Sequence, residues 1–127
     1  MTEPRRIQLR RTRGWRMPPN TVKADRSTRL GNPWRVGEPF VPNAAEAVHM
    51  FQVRLPGGFL YQARPPYPES HMGQIVARLP ELRGKNLACW CRLCERHADG
   101  KPFGEHCPDC EPCHVDPLGE IANRSIR

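Results

Sequence analysis

No run in this chain of 127 residues approaches the roughly 18 to 20 consecutive apolar residues that a membrane-spanning helix requires, so no membrane partner is expected. Nor does an apolar signal region follow Met1. The next residues are Thr2, Glu3, Pro4, Arg5 and Arg6, and the expectation is a cytoplasmic protein. Long helix is lacking too: fifteen prolines and ten glycines exclude an extended bundle or coiled coil and predict short elements joined by many turns. At 38% hydrophobic residues there is material for one modest core but not for two, which argues for a single domain over residues 1–127.

Lysine is scarce where positive charge is densest. Residues 1–35 carry Arg5, Arg6, Arg10, Arg11, Arg13, Arg16, Lys23, Arg26, Arg29 and Arg35 against Glu3 and Asp25, a balance of +8. The other 92 residues have ten basic and eleven acidic side chains and sit near neutrality at −1. The planar fork of arginine suits bidentate contacts with phosphate, so the N-terminal half is a candidate surface for a nucleotide or nucleic acid. The same distribution also describes a merely solvated basic arm.

Periodicity places the elements. Ile7 and Leu9 alternate with Gln8 and Arg10 in a first strand over residues 5–11, and Val22 and Ala24 point inward from a second at Thr21 to Ala24. Asn43 and Glu46 have N-cap and N3 spacing, and Ala44, Ala47, Val48, Phe51 and Leu55 form one helical face, with His49 off it. Ser70 can cap a second helix with Met72, Ile75, Val76 and Leu79 inward, Pro80 breaking it before Leu82 and His71 on the surface. Pro65, Pro66, Tyr67 and Pro68 connect the two. Leu87 to Cys91 reads as a buried central strand, and Asp116 and Pro117 as the N-cap and first residue of a last helix with Leu118, Ile121 and Ala122 inward. The order β, β, α, α, β, α predicts an α/β fold: a small Rossmann-like layered structure with a short, partly parallel sheet and a zinc-binding loop insertion.

All six cysteines lie between residues 89 and 113. In a chain without a secretory signal, cysteines at these spacings point to metal, and zinc favours four soft or borderline ligands in a tetrahedron. Cys107 and Cys110 make one knuckle. Its partner is either Cys91 with Cys94 or Cys94 with His97. Placement favours Cys94, His97, Cys107 and Cys110, because Cys89 and Cys91 would be held by the strand, whereas residues 94–110 make a self-contained excursion turning at Asp99 to Pro102. Such a loop has little apolar material besides Phe103, so the metal would replace a core.

Cys89, Cys91, Cys113 and His114 are left over. They could form a second metal site, pack as buried thiols, or supply a thiolate at the N-terminus of the last helix with His114 as base, although no residue is evident to orient that base. In the polar loop after strand two, Arg26 and Arg29 could grip a phosphate with Ser27, Thr28 and Asn32 as further hydrogen-bonding groups. A turn capped by Asp25 and Ser27 would use the same residues.

The segments GWRMPPNTVKADRSTRLGNPW, GKNLACWCRLC and PCHVDPLGEIANR resemble a family catalogued as domain of unknown function 4326, which looks frequent in actinobacteria and their phages. The most specific marks are Asn32-Pro33, Cys89-Trp90-Cys91 and Cys113-His114. Relatives commonly link the last two by a much shorter segment, which implies that residues 92–112 are a zinc-knuckle insertion within the domain. Trp34 stands where the family has Phe, and Pro117 follows the Asp of the last helix where an apolar residue is usual. The family's name carries no activity.

Three functions fit these observations. One is a zinc-stabilised protein binding a nucleotide or nucleic acid through its arginine-rich half. Another is an enzyme acting on a nucleotide, nucleoside or base at the Cys-Trp-Cys and Cys-His region. A third is a phage accessory protein that holds a host protein through its zinc loop.

Overall fold

In a computed structural model, residues 3–60 and 71–124 are described. Four strands, β1 (Arg5–Gln8), β2 (Thr21–Lys23), β3 (Asn86–Cys89) and β4 (Lys101–Pro102), form one sheet in the order β2-β3-β1-β4. β3 lies parallel to both β2 and β1, and β4 closes the far edge antiparallel to β1. The helices are α1 (Ala44–Gln52), α2 (His71–Ala77), α3 (Leu79–Leu82) and α4 (Val115–Arg124). This is a mixed α/β architecture with a small, mainly parallel sheet, as the alternation of elements predicts.

The sheet has unequal faces. The main core joins Leu87 of β3 and half-buried Val22 of β2 to Leu30, Phe51, Leu55, Met72, Ile75, Leu82, Val115 and Leu118. Among the described residues, the buried cluster on the opposite face is Ile7, Leu9 and Ala88, with Trp15 packed on them. Register explains the division, since Arg6, Leu87 and Val22 are paired across three strands, while Ile7 pairs with Ala88. Alternation in β1 therefore identifies its apolar side correctly, but that side faces the minor cluster. The side towards the helices carries Arg6.

Arg6 is 1% exposed. Its Nη1 donates to Asp116 Oδ2 at 2.7 Å, and its Nη2 donates to the carbonyl oxygens of Glu111 at 2.6 Å and Arg92 at 3.4 Å. Lys101, 3% exposed, donates to the other carboxylate oxygen of Asp116 at 2.9 Å. A buried guanidinium is tolerable only with such partners. Hence one N-terminal arginine serves the interior.

Local chemistry sets the helix boundaries. Asn43 caps α1, its Oδ1 accepting from Glu46 N at 2.9 Å in the extended geometry of an N-cap. Ala47, Phe51 and Leu55 of the expected face are buried, and His49 is exposed. The expected break falls just before Pro80: α2 ends at Ala77, and Pro80 occupies the first turn of α3, where a missing amide hydrogen costs little, and Leu82 is buried. Ser70 and the proline-rich connection at 65–68 lie outside the described residues.

Several boundaries differ from the sequence reading. β1 stops at Gln8 rather than running to residue 11. β3 ends at Cys89, so Cys91 belongs to the following bend. Lys101 and Pro102, expected as a turn, pair with Arg6 and Arg5 as an edge strand because Gly100, at φ +133°, leads the chain back against β1. α4 begins at Val115 rather than after an Asp116 cap. The Asp116 side chain is committed to Arg6 and Lys101 instead.

Candidate functional site

The two knuckles between Cys91 and Cys113 are built on local turns. Cys94 precedes a 3-10 turn, Glu95–His97, in which His97 N donates to Cys94 O, and Cys110 N donates to Cys107 O in the second knuckle. Together they bring four donors to one point: Cys94 Sγ lies 3.2 Å from His97 Nδ1 and 3.9 Å from Cys107 Sγ, and Cys110 Sγ lies 3.5 Å from His97 Nδ1. The ligand atoms of Cys94, His97, Cys107 and Cys110 all lie within 4.8 Å of one another, a group that could hold a metal ion. A tetrahedral ion with metal–sulfur bonds of about 2.3 Å puts its sulfurs about 3.8 Å apart. The spacing matches.

The surroundings favour ionised sulfur at Cys107. Burial opposes the thiolate of Cys107, but the amide of Asp109, Arg96 and the neighbouring thiols outweigh it and bring its pKa down to about 6. Arg96 Nη2 reaches Cys107 Sγ at 3.5 Å and Asp109 Oδ2 at 3.0 Å. Burial holds the Cys110 thiol above its ordinary value. His97 offers Nδ1 to the sulfurs, and its Nε2 lies 3.8 Å from Glu105 Oε1, where a carboxylate can orient the ring. Phe103 anchors the loop to the domain. Its ring lies so close over α4 that a Cβ on Gly119 would come within 2.4 Å of it.

Cys91 belongs elsewhere. It joins Cys89 and Cys113, and these three sulfurs also lie within 4.8 Å of one another, a second group that could hold a metal ion. Cys89 and Cys91 are 3.8 Å apart. Cys89 and Cys113 are part of the main core and Cys91 packs against it, at the carboxyl end of β3 and the start of α4. Hydrogen bonds from Cys113 and Cys91 stabilise a thiolate at Cys89 and pull its pKa down to about 2. At Cys91 a hydrogen bond with Cys113 favours the thiolate, yet the bond to Cys89 and burial prevail and push it up to about 12. Burial raises Cys113 well above its ordinary value. Three packed thiols thus share charge poorly without a cation.

His114 is 4% exposed, and its Nε2 bonds to the carbonyl oxygens of Ala24 at 2.8 Å and Leu30 at 3.0 Å. Two acceptors fix the proton on Nε2, and Nδ1 lies 3.9 Å from Cys113 Sγ. Burial lowers its pKa and keeps it neutral. Phe51 meets the ring edge-on at 5.2 Å.

The loop after β2 is internally bonded. Asp25 Oδ1 accepts from both the amide and hydroxyl of Ser27, and Thr28 Oγ1 donates to Asp25 O. Arg26 donates to the carbonyls of Asn32 at 2.6 Å and Trp34 at 3.0 Å. Asn32, buried, donates to Ala47 O and accepts from Trp34 N. The turn is so tight that a Cβ on Gly31 would approach Asp25 O to 2.7 Å. Arg29 is exposed. Of the five candidates here, Ser27, Thr28 and Asn32 therefore shape the turn, Arg26 braces it and Arg29 faces solvent.

Sequence reasoning passed over Trp90 as a residue in its own right. Its Nε1 donates to the second carboxylate oxygen of Asp25 at 2.8 Å, joining the β3 end to the β2 loop. The guanidinium of Arg11, just beyond β1, sits 4.9 Å from the ring centroid, and the indole is 41% exposed. The carboxyl ends of all three parallel strands thus meet at one aromatic residue. Its signal was present as an indole between two cysteines, but only tertiary contact with Asp25 and Arg11 gives it a setting.

None of the helices among the described residues is long and apolar enough to cross a membrane. No curated protein and no solved structure matches the chain significantly. A family description does match residues 7–124, which takes in both cysteine groups, β2 and its loop, and all four helices. The chain belongs to the family described as Domain of unknown function (DUF4326).

Proposed function

We propose that this protein is a zinc-stabilised domain that binds single-stranded nucleic acid along the carboxyl edge of its parallel strands. The observation that carries the reading is Trp90: a large, half-exposed indole held at its N–H by Asp25 and flanked by Arg11. Base stacking on a fixed aromatic ring, with arginine beside it for phosphate, is how sequence-tolerant single-strand binders work. Exposed Arg13, Arg16, Arg29 and Arg35 supply further charge for phosphates in this half of the chain. Zinc is the metal that a donor set of three thiolates and one imidazole in Cys94, His97, Cys107 and Cys110 favours. The ion's chemistry there is structural, since all four positions come from the protein, and reduced thiols suit a cytoplasmic setting.

Titration of the purified, metal-loaded protein with an oligothymidylate, the matching duplex and single nucleotides, followed by tryptophan fluorescence and anisotropy across a salt series, tests this. The oligothymidylate should quench fluorescence and bind more weakly as salt rises. Trp90→Ala should weaken binding about 5- to 150-fold, the equivalent of roughly 1–3 kcal/mol of lost stacking. Salt-insensitive binding of one nucleotide in preference to the oligomer would replace this reading with a nucleotide site, and no binding of any probe would end it.

A further inference from the structure

The second group of cysteines combines three observations that have one explanation in common. Its sulfurs have the mutual spacing of ligands, with Cys89 and Cys91 at the 3.8 Å that a tetrahedral ion with bonds of about 2.3 Å would impose. His114 has the arrangement typical of a metal-ligating histidine, one nitrogen donating to backbone carbonyls so that the other presents a lone pair, here 3.9 Å from Cys113 Sγ. The third observation is charge. Arg6 and Lys101 are buried with Asp116 as their shared carboxylate, which leaves one positive charge in excess. Arg6 Nε, moreover, is buried with no hydrogen-bond partner.

We propose that Cys89, Cys91, Cys113 and His114 hold a second metal ion, a closed three-thiolate, one-imidazole centre inside the main core. A divalent ion with three thiolates and a neutral imidazole carries a net charge of −1. It cancels the excess positive charge of the Arg6, Lys101 and Asp116 group beside it. Arg6 lies near enough to Cys113 and Cys91 to favour their ionised forms, and they in turn help to hold its own pKa above the ordinary value against burial. Zinc fits the donors, and a full set of protein ligands makes the centre structural. It would tie the end of β3 to the start of α4 and, through the His114 hydrogen bonds, to the loop after β2. This centre does not depend on the nucleic-acid reading or on occupation of the loop site.

Metal content and cobalt spectra of the full chain test it. Wild-type protein expressed with zinc should contain two ions per chain, and cobalt(II) exchanged for them should show sulfur-to-metal charge transfer with twice the intensity of one three-thiolate centre. The double variant Cys94→Ser, Cys107→Ser should keep one ion and half that intensity, held by the core group. The variant Cys89→Ser, Cys113→Ser should keep one ion in the loop; if it does not fold, the wild-type stoichiometry and the loop variant still decide. His114→Ala should alter the cobalt ligand-field bands of the core centre, because water or an open position replaces nitrogen. A wild-type protein with one ion that the loop variant loses entirely would overturn the proposal. One ion that the loop variant retains would uphold it and remove the loop site instead. Unchanged ligand-field bands in His114→Ala would overturn the assignment of His114.

Discussion

The two cysteine groups gather thiols in opposite surroundings. Cys94, His97, Cys107 and Cys110 stand on two tight turns of a loop, with charged Arg96 and Asp109 at its rim. Cys89, Cys91 and Cys113 stand at the ends of a central strand and a helix, among Leu87, Phe51 and Val115. In the loop the donors are close because of local turns, and little apolar surface would remain to order the segment without an ion. In the core the donors are close because the sheet and α4 pack there, whether or not an ion is bound. Local spacing reports on the first kind of cluster and tertiary packing creates the second.

Removing metal should separate the two most strongly. Treatment with a strong chelator should lower Tm by roughly 10–20 °C, several kcal/mol, as monitored by calorimetry, and proteolysis within residues 94–110 should appear before the core opens. An unchanged Tm in protein shown to be metal-free would break the comparison at its base. Next in size is Asp116→Ala, which takes the shared carboxylate from Arg6 and Lys101, the charges that join the two regions. It should cost about 3–5 kcal/mol in denaturant unfolding, because it leaves buried charges uncompensated. Adding Arg6→Met and Lys101→Met to that variant should restore much of the loss; failure to do so would show that geometry rather than charge is at stake. The smallest effect is expected of Gly119→Ala. A methyl group there meets the Phe103 ring, and overpacking of this kind costs about 1–3 kcal/mol. Loss of loop-site metal affinity in this variant, with α4 intact by circular dichroism, would show that the loop's seat on the helix helps to shape its metal site.

Much of this was legible in the residues themselves. Asn43 and Glu46 announced α1, and the knuckle spacings led to Cys94, His97, Cys107 and Cys110, because capping and short metal turns are local chemistry. The side of β1 that faces the main core was not legible. Alternation shows which residues share a face, but it does not say that a buried arginine will be the one turned towards the helices. That depends on Asp116, 110 residues away. Lys101 was hidden in the same manner: its pairing with Arg6 places a short stretch of turn-like sequence at a sheet edge. Ser27, Thr28 and Asn32 suggested phosphate contacts, whereas their hydrogen bonds occupy them within the protein: Ser27 on the Asp25 carboxylate, Thr28 on the Asp25 carbonyl and Asn32 on the Ala47 carbonyl of α1.

Arg6 also governs how the loop is attached. Its Nη2 binds the carbonyls of Arg92 and Glu111, and Glu111 N donates to Arg92 O at 2.8 Å, so the chain leaves and re-enters the domain through one clasp. Beyond this neck the excursion is held twice more, by β4 against β1 and by the Phe103 ring against α4. The clasp works as a socket: the sheet supplies the fitting, and both ends of the segment are plugged into it.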